Sequence, residues 1–352
     1  MKKNQIALRN LAEDKEQVKF VREKARQINP TQEFSQHILK EKMLSPDGNE
    51  KYKFDGEGKL VCNGGTDVNV KNGIPDFTIF STDALDEKER QASYHDNEEV
   101  NESFDEIVLR PYNYNQFHAK IWLKHLEELS IQLEKVSGKS FESLTVLNCG
   151  CGGGFEAQFF AEKGAKLVGF DISQLRVEAA ATRFALNELE GFFYRGDAAI
   201  LPFEDNSFDV VIYHDSLHHV PIEEIPKAIK EARRVSKKYI ILSEAHDSPI
   251  RMVLESIGLS TSIEASGNYT FRFKKSLIEF WCYRFGMELK LYKTSFDRRE
   301  HRPKLYAIPV IGKLTYYIIH IIGKVLQKFG NEALIILKKS KEIKYSEERA
   351  NR

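Results

Sequence analysis

An α/β fold organised on a parallel sheet is what this 352-residue sequence predicts, and three neighbouring features predict it. The apolar run Val146-Leu147 ends in the turn Asn148-Cys149-Gly150-Cys151-Gly152-Gly153-Gly154. A short helix follows, Phe155 to Glu162, carrying Phe155, Phe159 and Phe160 and closed by Lys163-Gly164. The chain then re-enters an apolar strand, Lys166 to Phe170, that stops at Asp171. Together these make half of a parallel βαβ unit, in which glycines let the backbone turn tightly and bring its N–H groups near a ligand. Asp171, roughly 20 residues beyond the turn, is placed to accept hydrogen bonds from ribose hydroxyls. No Gly-Lys-Ser or Gly-Lys-Thr follows, which argues against a triphosphate-binding loop.

The next elements follow in the same alternation. Phe192 to Arg195 reads as a third strand ending in the acidic turn Gly196-Asp197-Ala198. Leu201-Pro202-Phe203-Glu204-Asp205-Asn206-Ser207 then feeds a fourth strand, Phe208 to His214, followed by Leu217-His218-His219-Val220. Ile222 to Arg234 is a helix with Arg233 and Arg234 near the end that favours positive charge. Tyr239 to Ser243 is a fifth strand delivering Glu244, Ala245, His246 and Asp247 to the carboxyl edge, outside which open parallel sheets bind their ligands.

With these residues in this order the chain resembles the class I S-adenosylmethionine-dependent methyltransferases, particularly the small-molecule group that includes quinone-biosynthesis C-methyltransferases. The resemblance rests on the glycine turn, the acid ending strand two, the Asp197-Ala198 pair, Leu201 to Asp209 and Leu217 to Val220. It covers Phe141 to Asp247 well and the remainder loosely. It implies a doubly wound, mostly parallel, seven-stranded Rossmann-like methyltransferase sheet. Met287 to Tyr292 would be the sixth strand and Ala333 to Leu337 the seventh, inserted antiparallel.

The same resemblance implies S-adenosyl-L-methionine as cofactor and a set of residues to hold it. Gly150 and Gly152 would approach its methionyl end, Asp171 its ribose and Ile172 the adenine face, while Asp197 and the Ala198 N–H would read the adenine edge. His214 belongs with this set, as does Asn148, where the family usually has Asp or Glu. A neutral amide accepts a hydrogen bond but gives the cofactor's ammonium no full countercharge, and charged hydrogen bonds are about twice as strong. Cys149 and Cys151 read as packing residues rather than nucleophiles.

Methyl transfer from a sulfonium is an in-line displacement, so the protein mainly has to position a nucleophile and exclude water. A hydroxyl acceptor must also lose its proton, and imidazole titrates in the right range. His219 is the first candidate base and His246 the second, with Glu244 and Asp215 placed to orient an acceptor. Histidines in such a loop also serve hydrogen bonding and helix packing. Arg110 and Arg272 are candidate grips for a carboxylate or phosphate, although solvated arginine is commoner. No metal site is expected.

Upstream, residues 1–43 are a charged helical segment with signals in Lys15 to Gln27 and Thr31 to Met43, broken by Asn29-Pro30. Residues 44–80 change to turns and short strands and resemble the small zinc-ribbon-like domain that some bacterial methyltransferases carry upstream. That pattern normally has two cysteine pairs; here Ser45 and Gly48 replace the first, and the second keeps Cys62 beside Gly65. One thiolate cannot hold a structural zinc, so a metal-free relic packed on the catalytic domain is expected. Residues 81–105 read as a linker or exposed helix, and 106–340 as the methyltransferase domain, entered through Tyr112, Tyr114 and a helix from His118 to Glu134. The two tyrosines are either lid residues or anchors for that helix. A polar tail spans 341–352.

An insertion at 296–331 joins a basic run, Arg298 to Lys304, to the aliphatic stretch Leu314 to Leu326. It suits a lipid or membrane-surface contact, or else sheet packing or a homodimer contact. Acidic and basic residues both number 52, so no global field favours nucleic acid. The start lacks an export signal and the cysteines, at 62, 149, 151 and 282, form no disulfide framework, which together point to the cytoplasm. The function expected is O- or C-methylation of a small-molecule acceptor. The alternatives are an RNA or protein methyltransferase, which the ribbon-like block favours, and a noncatalytic binding protein, which Asn148 and the missing zinc ligands favour.

Overall fold

The computed structural model describes residues 11–45, 51–55, 59–62, 66–99, 103–109, 116–142, 144–248, 255, 262–264, 266–295, 310–314, 317–318, 321 and 330–340. Gly48, Gly65, Arg110, Tyr112, Tyr114 and the basic run of the insertion lie outside the described residues.

The chain begins with α1 (Leu11–Thr31) and α2 (Glu33–Glu41). The expected break at Asn29-Pro30 is absent: Pro30 sits in the last turn of α1, and the helix axis changes at the extended Gln32. Asn29 turns inward instead, accepting from the Phe193 N–H and donating to the carbonyls of Phe193 and Gly73. Residues 44–80 contain two hairpins, β1 (Lys53–Phe54) with β2 (Leu60–Val61) and β3 (Val70–Lys71) with β4 (Ile74–Pro75), then a 3₁₀ turn at Phe77–Phe80. Their buried Tyr52, Leu60, Cys62, Val68 and Phe77 join the core of the main sheet. Next come α3 (Leu85–Asp96) and α4 (Phe104–Leu109). The stretch expected as a linker or exposed helix is thus a packed helix, with Lys88, Gln91 and Ala92 buried.

After α5 (Gln116–Ser137) the sheet is laid down: β5 (Thr145–Cys149), α6 (Phe155–Glu162), β6 (Lys166–Asp171), α7 (Gln174–Leu186), β7 (Gly191–Arg195) and β8 (Phe208–His214). Then follow α8 (Ile225–Val235), β9 (Ser236–Ala245), α9 (Lys275–Phe285), β10 (Met287–Ser295) and β11 (Glu332–Lys339). The seven strands run in the order β10-β11-β9-β8-β5-β6-β7. All pairs are parallel except those of β11, which is antiparallel to both neighbours. The chain winds outward from β5 to β7 and then restarts at β8 on the other side of β5. That reversal opens a crevice at the carboxyl ends of β5 and β8.

Strand alternation sends Leu147, Phe170, Tyr194, Tyr213 and Leu242 into one core with α2, α8 and α9, and Val146, Leu167, Phe193, Ile212 and Ile241 into another with α5, α6 and α7. Each fully buried aliphatic or Phe side chain contributes about 1.5–3 kcal/mol relative to exposure. At the β7 edge, the Asn29 contacts and a bridge between Asp76 and Arg195 cover hydrogen-bonding groups that would otherwise invite pairing with another chain. Of the insertion, the described part is helical at 310–314, 317–318 and 321, with Val310 79% and Ile321 62% exposed. No helix among the described residues is long and apolar enough to cross a membrane.

Candidate active site

Gly150, Gly152 and Gly154 have φ of 63°, 50° and 77°, a region that resists side chains. A Cβ at Gly150 would stand 2.5 Å from the Ser216 Cβ, whereas one at Gly152 would meet no atom within 4 Å. The first glycine lets the turn press against the loop after β8; the second faces open space. Asp171 locks the turn to β6, its carboxylate accepting from the Gly152 N–H at 2.9 Å and the Ser173 N–H at 3.0 Å. A carboxylate has about four acceptor sites, so this leaves capacity for further donors. Ile172 follows, half-buried, its carbonyl accepting from Arg195.

Asn148 is 2% exposed, and its Oδ1 has no hydrogen-bond partner among the described residues. It pairs in register with Ile212, which puts it on the sheet face of Ile212 and His214. His214 is buried there, Nδ1 at 3.4 Å from Glu156 Oε1 and its ring 5.2 Å from that of His125. His125 in turn contacts Ser243 Oγ at 2.7 Å. Cys149 and Cys151 are fully buried, and burial pushes both thiols up, which suits packing rather than nucleophilic attack.

One sequence-predicted cofactor contact is engaged differently. Asp197 is 5% exposed, and its Oδ2 accepts from Ser81 Oγ and from Lys88 Nζ, both at 2.6 Å. Its Oδ1 accepts from the Ala199 N–H at 2.9 Å, and Lys88 also reaches Glu224 at 2.6 Å. The carboxylate expected to read an adenine edge therefore anchors α3, because a buried ammonium needs its countercharges more than a solvated one does. Ala198 beside it is buried. The α3 helix continues across the strand ends. Gln91 and the Glu87 carbonyl hold Asn268, the His95 ring lies 6.3 Å from that of His219, and Asp96 caps α7 through Ser173 Oγ and the Leu175 N–H.

On the β8 and β9 side, Glu244 is fully buried. Its Oε1 accepts from the Ser216 and Leu217 N–H groups at 3.1 and 2.8 Å, and its Oε2 lies 2.6 Å from His218 Nδ1. Expected to orient an acceptor, it instead shapes the loop and aims His218. Burial opposes charging His218, but the Glu244 carboxylate outweighs it and the imidazole pKa is raised. His219 Nδ1 lies 2.7 Å from Glu264 Oε1. Burial, the largest influence, pushes the Glu264 carboxyl up, but the contact and charge of His219, the charge of His218 and the Thr270 hydroxyl together outweigh it and bring the carboxyl down to about 2. Asp215, at φ 49°, begins the turn that carries the two histidines, and its N–H bonds the Ser243 carbonyl. His246 faces elsewhere, its Nδ1 within 3.0 Å of the Phe273 carbonyl and 2.9 Å of the Tyr292 hydroxyl.

Asp215, His218, His219 and Glu244 are thus brought together, and His246 is not. Lys88, Ser81, His125 and Glu264 were not anticipated. Lys88 sits in the run Asp86-Glu87-Lys88-Glu89-Arg90, which reads as a solvated face, and Glu264 carries no motif.

Comparison with known proteins places a match to the methyltransferase domain family on residues 146–239. The chain is 32% identical over 92 residues to a ubiquinone biosynthesis O-methyltransferase of Bartonella tribocorum, covering 26% of this chain and 37% of that protein. It is 26% identical over 219 residues to a fatty-acid O-methyltransferase of Mycolicibacterium smegmatis, covering 54% of this chain and 78% of that one. The first match spans little more than a third of the relative's length. Among solved structures, the magnesium protoporphyrin IX methyltransferase of Synechocystis PCC 6803 with bound S-adenosylhomocysteine aligns at TM-score 0.50 and 20% identity, covering 72% of this chain and all of that one, a likeness of fold. Since the family match falls on the strands that bear the glycine turn, Asp171 and Asp197, this chain contains a class I S-adenosylmethionine-dependent methyltransferase domain.

Proposed function

We propose that the protein transfers a methyl group from S-adenosylmethionine to a hydroxyl of a small-molecule acceptor. The observation that carries this reading is the unsatisfied Asn148 Oδ1 on the strand that leads into the open turn at Gly152. These residues fit the cofactor: the amide oxygen would accept from its ammonium, the turn would face its methionyl end, and Asp171 would accept from its ribose. Ile172 and the Ala198 backbone would border the adenine, with His214 near the turn. The Asp197 carboxylate would take part only once Lys88 releases it. When bound, the cofactor supplies an electrophilic methyl on a sulfonium.

The protein's own groups do the rest. Residues 76–96 lie over the strand ends and would keep water from the edge. His219 is half-buried, and with Nδ1 on Glu264 its Nε2 is the atom to accept an acceptor's proton. Two relatives named as O-methyltransferases support oxygen as the methylated atom. The insertion leaves the sheet at Ser295 and returns at Glu332, which pairs with Ala245 at the carboxyl end of β9. Its exposed Val310, Leu314 and Ile321 support an acceptor with an apolar body or drawn from a lipid surface; a concentration-dependent dimer that hides these residues would count against that use.

The test is calorimetry with S-adenosylmethionine and S-adenosylhomocysteine, followed by transfer of labelled methyl to quinols, fatty acids and RNA. Failure to bind either cofactor form sinks the enzyme reading. Label found only in RNA or protein sinks the small-molecule one.

A further inference from the structure

We propose that His218, His219 and Glu264 bind a divalent metal ion of the zinc, manganese or cobalt type beside the acceptor edge. One ligand atom from each of the three lies within 4.8 Å of the others. Two donors bound at about 2.1 Å stand at most about 4.2 Å apart, so small side-chain rotations complete the site. Imidazole with carboxylate is the donor set for such ions, and magnesium or calcium would call for oxygen alone.

The surroundings carry the assignment further than proximity does. Glu244 holds His218 through Nδ1 at 2.6 Å, which leaves Nε2 as the ligating nitrogen. A buried carboxylate on the far nitrogen of a ligating histidine fixes its orientation and strengthens it as a donor. Glu244 is itself fixed by two backbone N–H groups, so His218 is aimed before any ion arrives. Glu264 comes from a separate segment and is tied by Thr270 Oγ1 at 3.0 Å. His218 is nearly buried while the His219 and Glu264 side chains are 30% and 18% exposed, which gives the ion an inner anchor and an open side. The carboxylates of Glu244 and Glu264 offset the ion's two charges.

Resting on the methyltransferase reading, the ion's role is to bind the acceptor hydroxyl oxygen and lower its pKa. His219 then serves as a ligand, and the hydroxyl proton leaves to solvent.

The experiment uses the full chain, stripped with a chelator and titrated with cobalt(II), followed by visible absorption and by calorimetry, with zinc and manganese run in parallel. One ion per chain is expected, with ligand-field bands from bound cobalt. His219→Ala and Glu264→Gln should each weaken binding by at least about 100-fold while melting cooperatively, since even outer partners of a metal site are worth 10–100-fold. Substoichiometric uptake of all three metals overturns the proposal, as does one ion whose affinity neither variant changes. S-adenosylhomocysteine binding to the same stripped protein is measured separately. If it survives while metal binding fails, this inference alone falls; if it is absent while metal binds, the methyltransferase reading falls instead.

Discussion

The strand ends and the segment that covers them hold polar groups in opposite states. On the floor, Asn148 Oδ1 is buried without a partner among the described residues, Gly152 faces open space, and Asp171 spends only two hydrogen bonds. In the cover, Lys88 bridges Asp197 and Glu224, Ser81 adds a third contact, and Asp96 caps α7 twice. Unspent groups wait for a ligand, whereas saturated ones hold the protein to itself. Asp197 belongs to the floor by position and to the cover by its bonds. The adenine contact proposed for Asp197 would have to compete with its bonds to Ser81 and Lys88.

The sharpest way to break this contrast is to cut the cover's anchor. Lys88→Met leaves buried Asp197 without its lysine partner and Glu224 with the more distant Lys227 at 3.9 Å, and should cost about 3–5 kcal/mol in urea unfolding, as for one partner lost from a buried pair. A cost of about 1 kcal/mol, the worth of a solvated pair, would remove the distinction between cover and surface. On the floor, Asp171→Ala removes acceptors for the Gly152 and Ser173 N–H groups and for the proposed ribose contact. Bonds to a charged group contribute about 1.5–3 kcal/mol each, so calorimetry should show S-adenosylhomocysteine binding weakened about 100-fold.

Asn148→Asp sharpens the comparison in the other direction. A full charge facing the cofactor's ammonium should tighten S-adenosylmethionine binding about tenfold, and unchanged or weaker affinity would mean that Asn148 lies off the cofactor's path. The smallest effect concerns acid. The His95 pKa is pushed from 6.5 down to about 3, first by burial and then by the charges of Arg176 and His219. Below pH 6.5 the unfolded chain takes up a proton that the folded one refuses, so stability present above that pH is lost progressively toward about pH 3. His95→Gln should flatten this limb of a urea midpoint against pH profile while changing little at pH 7.5. An unchanged slope would show that His95 is not enclosed.

How far the site could be read in advance differs along the same line. The helix Phe155 to Glu162 is found at its expected bounds, and the strand beginning at Lys166 runs one residue past its expected end to Asp171. Gly150, Gly152 and Asp171 meet as the spacing of their turn requires, because a strand, a tight turn and a short helix leave the backbone few alternatives. Lys88 offered no such cue, for a lysine amid four charged neighbours looks solvated until a distant aspartate is seen beside it. Glu264 was hidden because it stands in no motif and its partner His219 is distant in the chain, and Glu244 was recognised as part of the edge without its role in aiming His218 being visible.

Local order in the chain was enough to specify the alternation of strands and helices, the glycine turn, and hence the methyltransferase class, since each depends on residues a few positions apart. Which carboxylates face open space and which are spent on lysine, histidine or backbone N–H groups emerged only when segments as distant as Lys88 and Asp197 or His219 and Glu264 were brought together. Hydrogen bonds and ion pairs depend on proximity in space, and a linear pattern carries no distance.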